Sequence, residues 1–420
     1  MSTNRTRALL VTTVLATALL TTAAGCGGCR VALSCETTDD CPRGAACIAG
    51  VCAEDGTRAR DGGGGDDDAG AAGSVDGGAG DADGGVGADG GAQDADAGAA
   101  DAGVVDGGGA VLQDLALSVS NPTSEALADF PLLVTLTSAR IDYALASPTG
   151  DDVRFLADGA ELAREIEAWN PAGTSFVWVR IPLLPANGAQ ALEMVSGAGP
   201  AAARSVWPAP FVAVYHLQAG GADASGNGHD GTPAGAPLVD VGQIAGAVDF
   251  LTGADRVSVP DAPPLDVTNG FTLSAWVAPA DFSGAYCMAV SKGTALYAYY
   301  FGTVGDAVEI GVETTTPGAY IERDVAAGIA AGWHWLAATY DATSTELALY
   351  VDGAQVSDEL LRMDIVPGRG DLQIGNDLLG ESMRGGVDEA RVESAPRSPA
   401  WIDAQFLSMT DQLVTYAVPP

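Results

Sequence analysis

The chain has 420 residues, 47% of them apolar, with 55 acidic against 19 basic residues and a formal net charge of -36. A surface this acidic repels nucleic-acid phosphates and anionic lipid headgroups, which argues against both as partners. The three histidines, His216, His229 and His334, are too dispersed for a zinc or Ser/His/Asp centre, and the sole lysine, Lys292, has no phosphate-binding loop around it.

Residues 1–25 read as a secretory signal, with Arg5 and Arg7 ahead of an apolar run from Ala8 to Leu20 and then small residues. The run is short and rich in Thr and Ala for a bilayer span. The segment Ala23-Ala24-Gly25-Cys26 resembles the bacterial lipobox, although Ala23 stands where that motif most often has Leu. The resemblance implies cleavage before Cys26, lipid attachment there, and an exported outer-membrane lipoprotein held to the membrane only through its lipid.

Residues 26–54 carry CETTDDCPRGAACIAGVC, with Cys35, Cys41, Cys47 and Cys52 among Gly, Pro and Asp. In an exported chain such a cluster reads as a small disulfide module. Four cysteines allow three pairings; the interleaved set, Cys35 with Cys47 and Cys41 with Cys52, is the working assignment, and Cys29 is left over. The cluster resembles cysteine-rich modules behind the lipoprotein signals of predatory soil bacteria. From 55 to 110 Gly, Ala and Asp dominate, and no Phe, Trp or Tyr occurs before Phe130. That stretch reads as a disordered, self-repelling acidic linker. It lacks the Glu and apolar spacing of calcium loops.

Residues 111–204 alternate in the manner of half-buried strands at PLLVTLTS, DDVRFLADG and SFVWVRIPLL, which predicts a first β-sandwich. At DDVRFLADG, REIEAWNPAG and FVWVRIPLLPANG the segment resembles a bacterial domain of unknown function (family 2341) that is often fused to lectin-like sandwiches. Glu165 and Glu167 share one strand face, the spacing of a retaining glycosidase pair; a solvated face or an ion pair with Arg154 or Arg164 is the plainer reading. The resemblance marks Asp152, Arg154, Glu165, Glu167 and Trp169 as recurring polar and aromatic positions.

Residues 205–420 hold ten further strand patterns from AVDFLT to GGVDEARVES, a tight hairpin at Asp352-Gly353, and a short helix from Pro399 to Phe406 capped by Ser398. The fold class is therefore all-β, two sandwiches after a linker. The stretch GNGHDG fits a dinucleotide fingerprint, but Pro233 and Pro237 stand where its helix should begin. Cys287, among apolar neighbours, reads as a core thiol.

In the order YHLQ, DASGNGHDGT, FTLSAWVAP, GWHWLAATYD, LALYVDGAQV and GGVDEARVESAPRS, this region resembles the concanavalin A-like, laminin-G-like jelly roll of bacterial surface proteins, myxobacterial ones included. Strand alternation places Asp388 on the face of Ala390 and Val392, with Glu389, Arg391 and Glu393 opposite. The resemblance implies calcium held by Asp223, Asn227 and Asp388; acceptance of backbone N–H bonds by Asp388 is the equal alternative. Tyr297, Tyr299, Trp333 and Trp335 are the candidate sugar-stacking rings, most of which should be core. The expected function is a surface-anchored, noncatalytic module binding a glycan or a surface protein; an extracellular glycoside hydrolase or a structural envelope protein are the alternatives.

Overall fold

The computed structural model describes residues 111–417 apart from short stretches at 198, 200, 202–203, 219, 236, 281, 283–285, 294–296, 314–319, 361–364 and 378–380, together with two short upstream strands. The signal segment, Cys26, Cys29, Cys35, Cys41 and the linker lie outside the described residues. The upstream strands, β1 (Ala45–Ile48) and β2 (Val51–Glu54), form an antiparallel hairpin whose register sets Cys47 opposite Cys52.

The first folded segment contains β3 (Gln113–Asn121), β4 (Leu127–Thr137), β5 (Arg154–Ala157), β6 (Ala160–Glu161), β7 (Arg164–Ala168), β8 (Thr174–Leu184) and β9 (Gly188–Ser196). The second opens with β10 (Phe211–Tyr215), β11 (Thr232–Ala234), β12 (Leu238–Val241), β13 (Gly246–Phe250), β14 (Arg256–Val259) and β15 (Gly270–Pro279). It continues through β16 (Tyr286–Gly293), β17 (Tyr297–Val304), β18 (Ala307–Glu313), β19 (Tyr320–Ala326), β20 (His334–Asp341) and β21 (Glu346–Val351). It closes with β22 (Ala354–Leu360), β23 (Leu372–Ile374), β24 (Gly385–Glu393), helix α1 (Pro399–Met409) and β25 (Val414–Tyr416). The all-β expectation holds, and β19 is a strand that alternation in the sequence did not single out.

Four sheets stack in layers. A seven-stranded sheet, ordered β11-β14-β23-β16-β17-β18-β19, faces an eight-stranded one, ordered β12-β13-β24-β15-β20-β21-β22 with β10 also paired to β24. Tyr299, Phe301 and Ile310 from the first meet Leu273, Leu336 and Ala390 from the second in one apolar core, which also buries Cys287. Beyond lie a three-stranded sheet, β4-β8-β7, and a five-stranded sheet, β25-β3-β9-β5-β6.

The three-stranded sheet is apolar on both sides because β8 alternates between two interiors. Val177, Val179 and Ile181 are fully buried on one face, whereas Trp178, also fully buried, belongs to the other. A single cluster therefore joins Leu117, Phe155 and Met194 of the five-stranded sheet to Trp276, Trp335 and Tyr350 of the eight-stranded one. The first sandwich and the jelly roll share this core.

Helix α1 wedges between them. Pro399 starts it and the Ser398 hydroxyl accepts the Trp401 N–H at 3.2 Å, the expected cap, although the helix runs on to Met409. Trp401 packs edge-to-face on Phe130 at 5.2 Å and Gln405 donates to the Pro131 carbonyl at 3.0 Å. The Ser408 hydroxyl takes the Leu133 N–H at 2.8 Å, and Trp276 stacks on Phe406 from the other side. Strand β25 then returns to pair with β3, so the last strand extends the sheet that the first one began. Asp352 and Gly353 turn β21 into β22 with φ of 52° and 79°, the left-handed conformations that a tight hairpin requires. Among the described residues no helix is long and apolar enough to cross a membrane.

Candidate functional site

The glycine-rich loop is a self-contained turn. Gly226 and Gly228 take φ of 80° and 79°, and the next element is strand β11, so no helix end is presented to a phosphate. Asp223 spends its carboxylate on the N–H groups of Val214 (3.1 Å), Ser225 (2.9 Å) and His229 (3.0 Å). Asn227 turns its NH2 toward the carbonyls of Phe211 and Val212, leaving that end unsuited to a cation.

Asp388 requires a correction. Opposite Ser274 and Trp276 of β15, strand β24 carries one extra residue, and Glu389 there adopts a φ of 51°. This bulge resets the alternation. Val387, Ala390 and Val392 enter the jelly-roll core, and Asp388 faces away from them, where it senses Glu389, Glu167 and His216. One Asp388 oxygen accepts the Ile244 N–H at 2.8 Å, and among the described residues the other has no partner. The three expected calcium donors thus serve different local tasks.

What the fold does bring together are charged residues from REIEAWN, YHLQ and GGVDEARVES, three stretches singled out in the sequence. Glu165 and Glu167 on β7, His216 after β10, and Glu389 with Arg391 on β24 converge between the two sandwiches. The Trp178 indole donates to Glu167 at 2.7 Å and the Trp207 indole to Glu165 at 2.6 Å. His216 sets Nδ1 against Glu389 and Nε2 3.3 Å from Glu165. Arg391 donates to Glu389 at 2.5 Å and to Gln405 at 2.8 Å, with its guanidinium 4.7 Å and 4.9 Å from the rings of Trp178 and Trp207.

Electrostatics follow from burial. Desolvation pushes Glu167 up to about 8 against the pull of His216, and it raises Asp388 well above the carboxylate range with the help of Glu389. Burial alone would lower His216, but Glu389, Glu167 and Glu165 outweigh it and hold the imidazolium. Burial would likewise raise Glu389, yet His216 and Arg391 pull it below its usual value. Ligand atoms of Glu167, His216 and Glu389 lie within 4.8 Å of one another, the compactness of a metal set. The positive charge such a set needs is already supplied by His216 and Arg391. Both carboxylates of the pair read as glycosidase-like in the sequence point into this network and accept indole N–H bonds.

The outer face of the seven-stranded sheet is built differently. Alternation sends Tyr300 and Gly302 of β17, Glu309 and Gly311 of β18, and Glu322 and Asp324 of β19 to that side, away from the core. Tyr300 lies across Gly311, where an added Cβ would stand 2.0 Å from the ring, and its hydroxyl donates to Glu322 at 2.7 Å. Met288, Tyr297 and Tyr300 form a small apolar floor. Glu309 is 3% exposed; burial, then Glu322 and Asp324, push its carboxyl up to about 8. Glu381 is also held at about 8, by burial and then Asp377. Tyr286, 43% exposed, stands beside them, its phenol raised by Glu309, by burial and by Glu322.

The four expected stacking rings are mostly core. Tyr299 and Trp335 are buried in the two apolar clusters, and the Tyr299 hydroxyl donates to the Leu265 carbonyl at 3.1 Å. Tyr297 is buried with its hydroxyl on Asp377 at 2.7 Å, and Trp333 is half-buried over Gly386. A ring enclosed by protein has no face left for a sugar. Among the described residues the most exposed aromatic rings are Tyr286 at 43% and Phe282 at 39%; Tyr286 was missed because its place at the start of β16, with solvent on one side, is set by the neighbouring strands.

Residues 251–403 match the family model described as the concanavalin A-like lectin/glucanases superfamily, so this part of the jelly roll is a concanavalin A-like domain. No curated protein matches the chain. Among solved structures it is similar to the binding domain of Paraclostridial Mosquitocidal Protein 1, with 13% identity over 47% of this chain and 52% of that one and a TM-score of 0.39. The receptor binding domain of botulinum neurotoxin C/D mosaic serotype gives 12% identity, 47% and 51% coverage and a TM-score of 0.40. Domain 4 of AbnA, a GH43 extracellular arabinanase from Geobacillus stearothermophilus in complex with arabinotriose, gives 18% identity, 46% and 96% coverage and a TM-score of 0.37. The match spans about half the length of the first two of these structures.

Proposed function

We propose that the protein is a noncatalytic binding module that takes a glycan on the outer face of its seven-stranded sheet, displayed at the cell surface through a lipid on Cys26. The observation that carries this reading is the exposed Tyr286 ring beside Glu309, Glu322, Asp324 and Glu381. An aromatic face packs on the C–H surface of a sugar while carboxyl oxygens accept hydrogen bonds from its hydroxyls. The network around Glu165 and Glu167 supports a noncatalytic role, since those carboxylates are committed to tryptophans and His216. Stability residues lie between the sandwiches, and recognition residues lie on the far sheet.

The test is a polysaccharide and glycan array probed with the full chain and with Tyr286→Ala. Saturable binding to a glycan class, weakened at least tenfold in the variant with unchanged melting, supports the reading. Silence on the array alongside retention of a single envelope protein in a pull-down would replace glycan by protein as the partner. Mass spectrometry of the mature N-terminus tests the anchor: acyl chains on Cys26 are expected, and an intact signal segment would remove the surface-display part.

A further inference from the structure

We propose that the outer face of the seven-stranded sheet holds a divalent, oxygen-seeking cation of the calcium class, bound by Glu309 together with Glu322, Asp324 and Glu381. The site shares the face assigned above to a glycan and deepens that reading, but cation binding is measured with no glycan present, so either can fail alone.

Three observations converge. Glu309 is only 3% exposed, and among the described residues its Oε2 has no hydrogen-bond partner. An orphaned buried carboxylate oxygen is costly and rarely kept without a task. Next, Glu309 stands directly opposite Asp324 across the β18–β19 ladder, and Glu322 occupies the diagonal position on the same face. Like charges directly opposed on adjacent strands repel, and a cation between them turns that repulsion into coordination. On its other side Glu309 is opposite Gly302, where the β16 backbone at Cys287 and Ala289 closes over the position a side chain would take, so no side chain there donates to the carboxylate.

The charge environment agrees. The groups that act on Glu309 are Glu322 and Asp324, those on Glu381 are Asp377, Glu309 and Glu322, and those on Tyr286 are again these acids. No basic residue figures among them. This separates the site from the Glu167, His216 and Glu389 group, where an imidazolium and a guanidinium already balance the carboxylates. The donors here are carboxylate and phenol oxygens, without imidazole nitrogen or thiolate sulfur. Hard oxygen sets of this kind select calcium over zinc or copper, and magnesium, which keeps its waters and demands a rigid octahedron, suits a set of four protein carboxylates poorly.

The experiment is calorimetric titration of the full, chelator-stripped chain with calcium, at neutral pH and physiological salt, beside Glu309→Gln, the pair Glu322→Gln/Asp324→Asn, and Glu167→Gln. A saturable event with a dissociation constant of roughly 10⁻⁴ to 10⁻³ M is expected, as for extracellular calcium modules. It should weaken at least tenfold in Glu309→Gln and in the pair, and persist in Glu167→Gln. Glu309→Gln keeps the shape of a neutral Glu309, so its melting temperature in chelator should be no lower than that of the parent, which shows that it folds. Absence of a saturable event, an undiminished event in Glu309→Gln, or an equal response to sodium chloride of the same ionic strength would each overturn the proposal.

Discussion

The Trp178 indole N–H points at the Glu167 carboxylate across 2.7 Å in a part of the molecule closed to water, where the three-stranded sheet of one sandwich meets the jelly roll. This one bond ties the burial of a charged group to the joining of two sandwiches. A Glu167→Gln substitution keeps an acceptor for Trp178 and mimics the protonated acid, whereas Glu167→Ala strands the indole N–H. Urea unfolding should place the Gln variant within ~1 kcal/mol of the parent and the Ala variant ~2–4 kcal/mol below it.

Arg391 is the partner that cannot be removed. It neutralises Glu389, caps Gln405 and lies over two indoles, all in the interior. Arg391→Met leaves Glu389 with only His216, and a loss of ~3–5 kcal/mol in unfolding free energy is expected, the cost of breaking a buried pair from one side. A loss under ~1 kcal/mol would mean that the network relaxes without it.

Lys292 tests the same logic inside the jelly roll. Its side chain is fully buried and donates to Asp261 at 2.5 Å and to the Gly370 carbonyl at 2.9 Å, with Asp266 3.3 Å away. Lys292→Met fits the volume but leaves the half-buried Asp266 without its cation. A fall of ~2–4 kcal/mol is expected by chemical denaturation, with the unfolding slope unchanged.

Stability should depend on pH in a direction set by the outer face. Glu309 and Glu381 hold their protons up to about 8 in the folded chain. A free Glu loses its proton near ~4.3, so between that value and 8 the folded state binds more protons than the unfolded one, and stability must fall as pH rises through this window. In chelator, the melting temperature should therefore drop from pH 5 to pH 9, and Glu309→Gln should drop less. A parallel fall in both would assign the slope to other groups, His216 among them, whose raised value works with the same sign.

Gly311→Ala probes the floor of the face. An added methyl would meet the Tyr300 ring at 2.0 Å, and the ring must swing toward Glu322 and its neighbours. The expected cost is ~1–3 kcal/mol of stability together with weakened glycan binding; intact binding would move the contact surface away from Tyr300.

Much of the architecture was legible in the chain itself because strand alternation, turn residues and a helix cap are local signals. GFTLSAWVAP became β15, ELALYV and its Asp352-Gly353 turn became β21 with its hairpin, and Ser398-Pro399 opened α1. The match of 251–403 to a concanavalin A-like family agrees with the resemblance read at FTLSAWVAP, GWHWLAATYD, LALYVDGAQV and GGVDEARVESAPRS, while YHLQ and DASGNGHDGT lie ahead of the matched residues. Local signals failed where packing decided. Glu389 inserts one residue into β24, and nothing in GGVDEARVES announces that bulge; it turned Asp388 from the predicted face to the opposite one. Most of the four candidate rings were expected to be core, and Trp335 and Tyr299 are, but which strands enclose them was not readable from their neighbours in the chain. Glu165, His216 and Glu389 lie in three separated segments, and only the stacking of one sandwich on the other closes the distance. Composition and alternation mark most of the segments that become strands, β19 excepted, since those signals depend on neighbours one or two residues away. Tertiary structure alone decides which faces meet water, and with that which carboxylates find their partners in the interior.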